Sequence, residues 1–148
     1  MRNKVHATTQ DVLTHREESL TSLRLRQLFR EPIQGRFDHD HMKAIHRHIF
    51  QDVYEWAGEE RTAPTGPMSK TYPDVVNHAI GDPNAPLRTY SYYPAGPQLE
   101  VDANKQYALI KDANYFRGMN QQDFTHNLAE SWNELNVIHS FREGNTRS

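Results

Sequence analysis

Phe124-Thr-His-Asn-Leu-Ala-Glu-Ser-Trp-Asn-Glu-Leu-Asn-Val-Ile138 runs directly into His139-Ser-Phe-Arg-Glu-Gly-Asn-Thr-Arg-Ser148. In the first half Phe124, Leu128, Trp132, Leu135 and Ile138 recur at spacings of 4, 4, 3 and 3, the period of a helix with one apolar face. Asn120 followed by Asp123 supplies a capping arrangement at its start. The pattern predicts a helix buried along this stripe, delivering His139 at its C-terminal end with little positional freedom. A rigid element carrying a base is what positioning catalysis requires.

The second half reads as a loop that enters another helix near Asn145. Such an entry presents unpaired N–H groups and the positive end of the helix dipole, so an anion can settle there. Gly144 allows close backbone approach and a positive φ. Glu143 is a hard oxygen ligand suited to Mg²⁺, which binds through one or two carboxylates plus substrate phosphates. Arg147 offers a planar fork for phosphate oxygens. His139, with an ordinary pKa of about 6.5, can take a proton at neutral pH. Phe141 is expected to point into the core and pin the loop. Any one of these residues alone would be a cap or a turn; their fixed order points to chemistry on a nucleotide phosphate.

The run resembles the signature of the Fic family of AMP-transferring enzymes, His-x-Phe-x-(Asp/Glu)-Gly-Asn-Gly-Arg-x-x-Arg, at His139, Phe141, Glu143, Gly144, Asn145 and Arg147. Thr146 stands where the pattern has its second Gly, and the final Arg is absent. The expectation is a single domain over residues 1–148, ending within the motif. Upstream, His46-Arg-His-Ile-Phe-Gln-Asp-Val-Tyr-Glu-Trp-Ala-Gly-Glu-Glu-Arg61 is similar to the segment before the active-site flap in Fic proteins. The resemblance implies an all-α, Fic-like helical bundle with a loop-rich excursion containing a β-hairpin flap. It also implies transfer of AMP from ATP to a Ser, Thr or Tyr hydroxyl of a target protein. His139 would be the base and Glu143 the Mg²⁺ ligand, with Gly144, Asn145, Thr146 and Arg147 around the phosphates. Relatives of the Doc type carry Lys where this chain has Thr146 and transfer phosphate, so AMP is favoured, with other phosphate-containing groups as the alternative. A degenerate nucleotide-binding or protein-interaction module is the reading from a different class.

Working outward, Gln10 to Arg30 reads as a helix with Thr8 or Thr9 as N-cap, turning Leu13, Leu20, Leu23 and Leu28 inward and leaving Arg16, Glu17, Glu18, Arg24 and Arg26 solvated. Asp38 caps a second helix through about Tyr54, with Met42, Ile45, Ile49 and Val53 as its stripe and Gly58 at its C-cap. His39, His41, His46 and His48 offer no His pair at metal spacing beside a carboxylate and read as a polar face. Asp102 is expected to cap a third helix to about Phe116, with Leu109, Ile110, Ala113 and Phe116 inward.

Seven of the eight prolines fall between Ala63 and Leu99, which excludes long helices there. Within this excursion Arg61 to Tyr72 is the candidate flap, docking target backbone by strand pairing with Lys70 at its exposed end. Pro64 and Pro67 each remove a donor from it. Thr89-Tyr-Ser-Tyr-Tyr-Pro94 reads as a loop packed on the helices.

The 148 residues carry 17 Lys plus Arg against 19 Asp plus Glu, so no broad basic surface advertises nucleic acid. With no cysteine, disulfides and thiolate sites are excluded. The polar start lacks a secretory apolar run and no segment has the length of a membrane span, so the cytoplasm is the expected place, or a host cell if the protein is a secreted effector. Many Fic proteins are inhibited by a helix bearing (Ser/Thr)-x-x-x-Glu-(Gly/Asn). Thr14 and Glu18 fit, but Ser19 breaks the pattern. Inhibition is then expected from a separate small antitoxin or from sequence beyond Ser148.

Overall fold

The computed structural model describes residues 2–74 and 77–145. Four helices pack around two small cores, and one antiparallel hairpin arches beside them.

Helix α1 (Gln10–Arg30) begins where Thr9 Oγ1 accepts the Val12 N–H, as expected of a Thr cap. Its buried stripe is Leu13, Glu17 and Thr21, with Leu20 and Leu28 packed behind. Two expectations fail here. Leu23 is 51% exposed, because ten residues from Leu13 place it well round the helix from the stripe. Glu17, expected in solvent, is buried, and Tyr54 donates its hydroxyl proton to the carboxylate. The bidentate Arg24–Asp52 pair, 2.7 and 2.9 Å, ties α1 to the segment after α2.

Helix α2 (His39–Phe50) starts at Asp38, whose Oδ1 accepts the His41 N–H at 3.0 Å. It stops four residues before the expected Tyr54. The chain then turns through 51–58, with Val53 and Tyr54 donating back to the Phe50 carbonyl. Gly58, at φ 81°, closes this turn rather than α2. Ile49, Phe50, Val53, Tyr54, Trp56 and Ala57 from this region join Leu13 in the larger core. The histidines are not a polar face: His39 is 1% exposed and His46 is fully buried.

The Pro-rich excursion holds the flap. Strands β1 (Met68–Pro73) and β2 (Leu87–Tyr92) pair antiparallel, Met68 opposite Tyr92, Lys70 opposite Tyr90 and Tyr72 opposite Arg88. Pro64 and Pro67 precede the ladder and Pro73 ends it, so no donor is missing from its middle. The Tyr-rich segment expected as a packed loop is therefore the second strand, and the loop reading is corrected.

Helix α3 (Pro97–Asp112) starts five residues before Asp102, which lies inside it; Pro97 occupies the first turn, where its missing N–H costs nothing. Leu99 and Ala103 face inward, whereas Leu109, expected inside, is 54% exposed. A 3₁₀ turn at Asn114–Phe116 then buries Phe116. Helix α4 (Gln121–Ile138) is capped by Asn120, Oδ1 accepting the Asp123 N–H at 2.9 Å. Its stripe is not buried as predicted: Phe124, Leu128 and Trp132 are 42%, 43% and 60% exposed. Its last turns dock most closely, Ile138 and Leu135 meeting Leu99, Ala103 and Tyr93. Among the described residues no helix is long and apolar enough to cross a membrane.

Candidate active site

Helix α4 ends at Ile138, and the next residue, His139, is its C-cap in the left-handed conformation (φ 54°, ψ 57°), N–H still bonded to the Leu135 carbonyl at 3.2 Å. A non-glycine residue there carries local strain, so the surroundings must hold it. Arg61 does so. Arg61 is 3% exposed; Nε donates to the His139 carbonyl, and Nη2 donates to the Ile138 carbonyl at 3.2 Å and to the Tyr93 carbonyl. The Arg61 backbone N–H takes the Ser140 carbonyl at 2.9 Å. Carbonyls orphaned by the end of the helix thus find their donors in one buried cation and its own main chain. Arg61 is therefore not a target-docking residue of the flap: its side chain is inside, gripping the turn after α4.

The loop beyond is clasped on every side. Phe141 is 2% exposed, as expected of the anchor, and stacks on the His46 ring at 3.9 Å and 17°. His46 Nδ1 accepts the Gly58 N–H at 2.9 Å, so the Nε2 proton is the one given to the Glu143 carbonyl at 3.0 Å. Asn145 closes the turn on itself, Oδ1 accepting from Phe141 N (2.8 Å) and Nδ2 donating to Phe141 O (2.7 Å). Gly144 sits at φ 77°, and a Cβ there would lie 2.2 Å from Phe50 Cζ, so both backbone and space demand glycine.

These groups line a cavity of about 340 Å³ with Lys70, Tyr72, Tyr92, Asn136, His139, Arg142, Glu143, Gly144 and Asn145 on its walls. Lys70 is exposed in mid-strand opposite Tyr90, not at the hairpin tip, and its side chain faces this cavity. His139 Nδ1 is buried without a hydrogen bond of normal geometry, leaving Nε2 as the nitrogen available to the cavity. Burial and then Lys70 push its pKa below the ordinary imidazole value; the Asn136 main chain opposes them, Arg61 adds to the lowering, and Glu143 opposes least. The imidazole is thereby kept neutral and able to accept a proton at pH 7. Thr146 and Arg147 lie outside the described residues, as does the helix expected to begin near Asn145.

Sequence reasoning brought His139, Glu143, Gly144 and Asn145 to one place and placed Lys70 near them. It missed the true duty of Arg61, the clasp by His46, and the wall formed by Tyr72, Tyr92 and Asn136. His46 and Arg61 fall within the stretch already singled out from 46 to 61, so a signal existed for them. For Tyr92 only the hairpin register supplies it.

No cluster of three His, Cys, Asp or Glu that could hold a metal by itself occurs among the described residues. Glu143 nevertheless fits Mg²⁺: it is a carboxylate on the solvent side of the turn, and this ion takes few protein ligands when phosphates supply the rest.

A helical bundle that carries an imidazole, a carboxylate and a Gly-Asn turn beneath a two-stranded flap is the arrangement expected of a Fic-like domain. The Fic/DOC family model matches residues 36–148, and the chain belongs to that family. It is 33% identical over 132 residues to the protein adenylyltransferase VbhT of Bartonella schoenbuchensis, covering 89% of this chain and 23% of that protein. It is 32% identical to a probable protein adenylyltransferase of Sinorhizobium fredii across 100% of this chain and 65% of that one. The chain thus spans less than two thirds of the length of these relatives. The fold is that of the N-terminal Fic domain of a Bartonella quintana effector solved with bound ADP (TM-score 0.76, 23% identity, 100% of this chain and 66% of that one). It is equally that of the Bartonella tribocorum effector BepC with bound AMPPNP (TM-score 0.75, 22% identity, 99% and 67%).

Proposed function

We propose that the protein transfers AMP from ATP to the hydroxyl of a Ser, Thr or Tyr on a target protein. The observation that carries this reading is the neutral imidazole of His139 at the wall of a cavity that also holds the Glu143 carboxylate and the Gly144 turn. His139 Nε2 takes the hydroxyl proton as the oxygen attacks the α-phosphorus; the new O–P bond forms as the bond to the β-phosphate bridge breaks, and pyrophosphate leaves. The Gly144 main chain lies against the phosphates, and Arg147 is assigned the β or γ phosphate on its place in the motif. Mg²⁺ held by Glu143 would supply charge neutralisation on phosphate oxygens.

The outer edge of β1 has no partner among the described residues, which supports docking of an extended target segment there, beside Lys70 and over the cavity. The broken motif at Thr14, Glu18 and Ser19 supports control by a separate small antitoxin protein. The groove of about 530 Å³ between α1 and Glu143, lined by Thr14 and Glu18 among others, is where such a partner would reach the site. The nearly balanced charge supports neither nucleic acid nor membrane as partner, and action in the cytoplasm of the producing or a recipient cell accords with it.

The test is His139→Ala, which should lower labelling of lysate proteins by radioactive ATP about 10²–10⁴-fold with the circular dichroism spectrum unchanged. Undiminished labelling by that variant would refute the assignment of the base.

A further inference from the structure

The main chain of His139 is held on both sides, by Leu135 and by Arg61, but these bonds do not fix the turn of its ring. Catalytic imidazoles are ordinarily oriented by a hydrogen bond at the nitrogen away from the substrate. Here that nitrogen, Nδ1, is buried, and the imidazole's one main-chain neighbour is Asn136, at the edge of hydrogen-bond geometry. What also meets the ring is Tyr92, the last residue of β2, only 9% exposed, its ring edge-to-face with the imidazole at 4.9 Å and 73°. Tyr92 is itself fixed from the neighbouring strand. Lys70, its diagonal neighbour on the same face of the hairpin, holds Nζ 5.4 Å from the centre of the phenol ring, and Tyr72 stands on the same cavity wall.

We propose that Tyr92, steadied by Lys70, is a positioning residue that sets the orientation of the His139 imidazole, so that the hairpin aligns the base as well as receiving the target. This rests on His139 being the base, and it adds a duty for the flap that strand pairing alone does not require. The ring, not the hydroxyl, carries the effect, because an edge-to-face contact needs only the aromatic face and edge. Arg61, Arg142 and Glu143 also face this region, Arg61 binding the His139 carbonyl rather than the ring, Arg142 donating to Thr62 and Glu143 accepting the Gly144 N–H.

Tyr92→Leu and Tyr92→Phe of the whole chain separate this role from a merely structural one. In Tyr92→Leu kcat for AMP transfer should fall roughly 10–100-fold while KM for ATP holds, since a small misplacement of a catalytic group costs on that scale. Tyr92→Phe should recover kcat to within about threefold of the parent, since it keeps the ring that makes the contact. Lys70→Met, an exposed change that leaves the fold in place, should lower kcat in the same direction by a smaller factor, and Lys70→Arg should restore it. In the free protein, the proton resonances of the His139 ring should be displaced by the Tyr92 ring current in the parent and in Tyr92→Phe, and should lose that displacement in Tyr92→Leu. The proposal is overturned if Tyr92→Leu keeps its kcat or raises KM alone, if Tyr92→Phe is as impaired as Tyr92→Leu, or if the resonances do not move. The resonance measurement needs no turnover, so a protein that transfers no AMP would sink the proposed function while leaving this contact to be judged by itself.

Discussion

The two ends of α4 are held in opposite ways. At its C-terminal end Ile138 is 1% exposed, Arg61 grips the carbonyls of 138–140, and Phe141 is clamped by His46. Over its first three turns Phe124, Leu128 and Trp132 stand between 42% and 60% exposed. A buried stripe was the expected means of positioning His139, and it does not supply it. His139 is positioned by what grasps the end of the helix, chiefly the segment from His46 to Arg61, while the body of the helix contributes little packing.

The strongest way to break this contrast is Arg61→Ala. It removes the donors of buried carbonyls from two elements, so it should cost about 3–5 kcal/mol in urea unfolding and abolish most activity. Arg61→Lys should recover little, since an ammonium cannot reproduce the fork. A loss under 1 kcal/mol would show that water or neighbouring groups replace the clasp.

Next in size is the pair Ile138→Ala and Trp132→Ala on the same helix. The first should cost about 2–4 kcal/mol, as truncation in a closed core does, and the second within about 0.5 kcal/mol. Equal costs would mean that the exposed stripe is packed in solution.

Gly144→Ala should lose about 2–4 kcal/mol through its positive φ together with the collision with Phe50. Phe50→Leu in the same chain should return part of that loss by making room, and additive costs would refute the collision.

The smallest effects are those of pH. The depressed pKa of His139 places the acid limb of kcat/KM below the ordinary imidazole value, and a limb above about 6.5 would contradict it. His39 is lowered to about 4, first by burial and then by Lys43. Its ring stands 3.2 Å from Glu60, whose carboxyl is raised by burial and Glu100, so both groups are driven toward the neutral form. A folded pKa below the unfolded one contributes stability that is complete above about 6.5 and lost as pH falls toward 4. His39→Asn should flatten that slope in thermal melts, and an unchanged slope would assign it to other groups.

The caps were legible because they are local: Thr9, Asp38 and Asn120 each start a helix with their own side chain. The site was legible where order along the chain carries it, at His139, Phe141, Glu143, Gly144 and Asn145. Helical periodicity at Phe124, Leu128 and Trp132 was also read correctly as a helix. Periodicity, however, states only which side chains share a face, not whether anything covers it.

What the amino-acid sequence by itself determined was this set of short-range facts, because caps, turns and a contiguous motif depend on neighbours a few residues away. Only the tertiary structure decided that Arg61 turns inward across 78 residues to hold His139, that the tyrosine-rich segment is a strand, and that Tyr92 meets the His139 ring. Those depend on which buried donor finds which orphaned carbonyl, and on a strand register, and both are settled when distant parts of the chain are packed against one another.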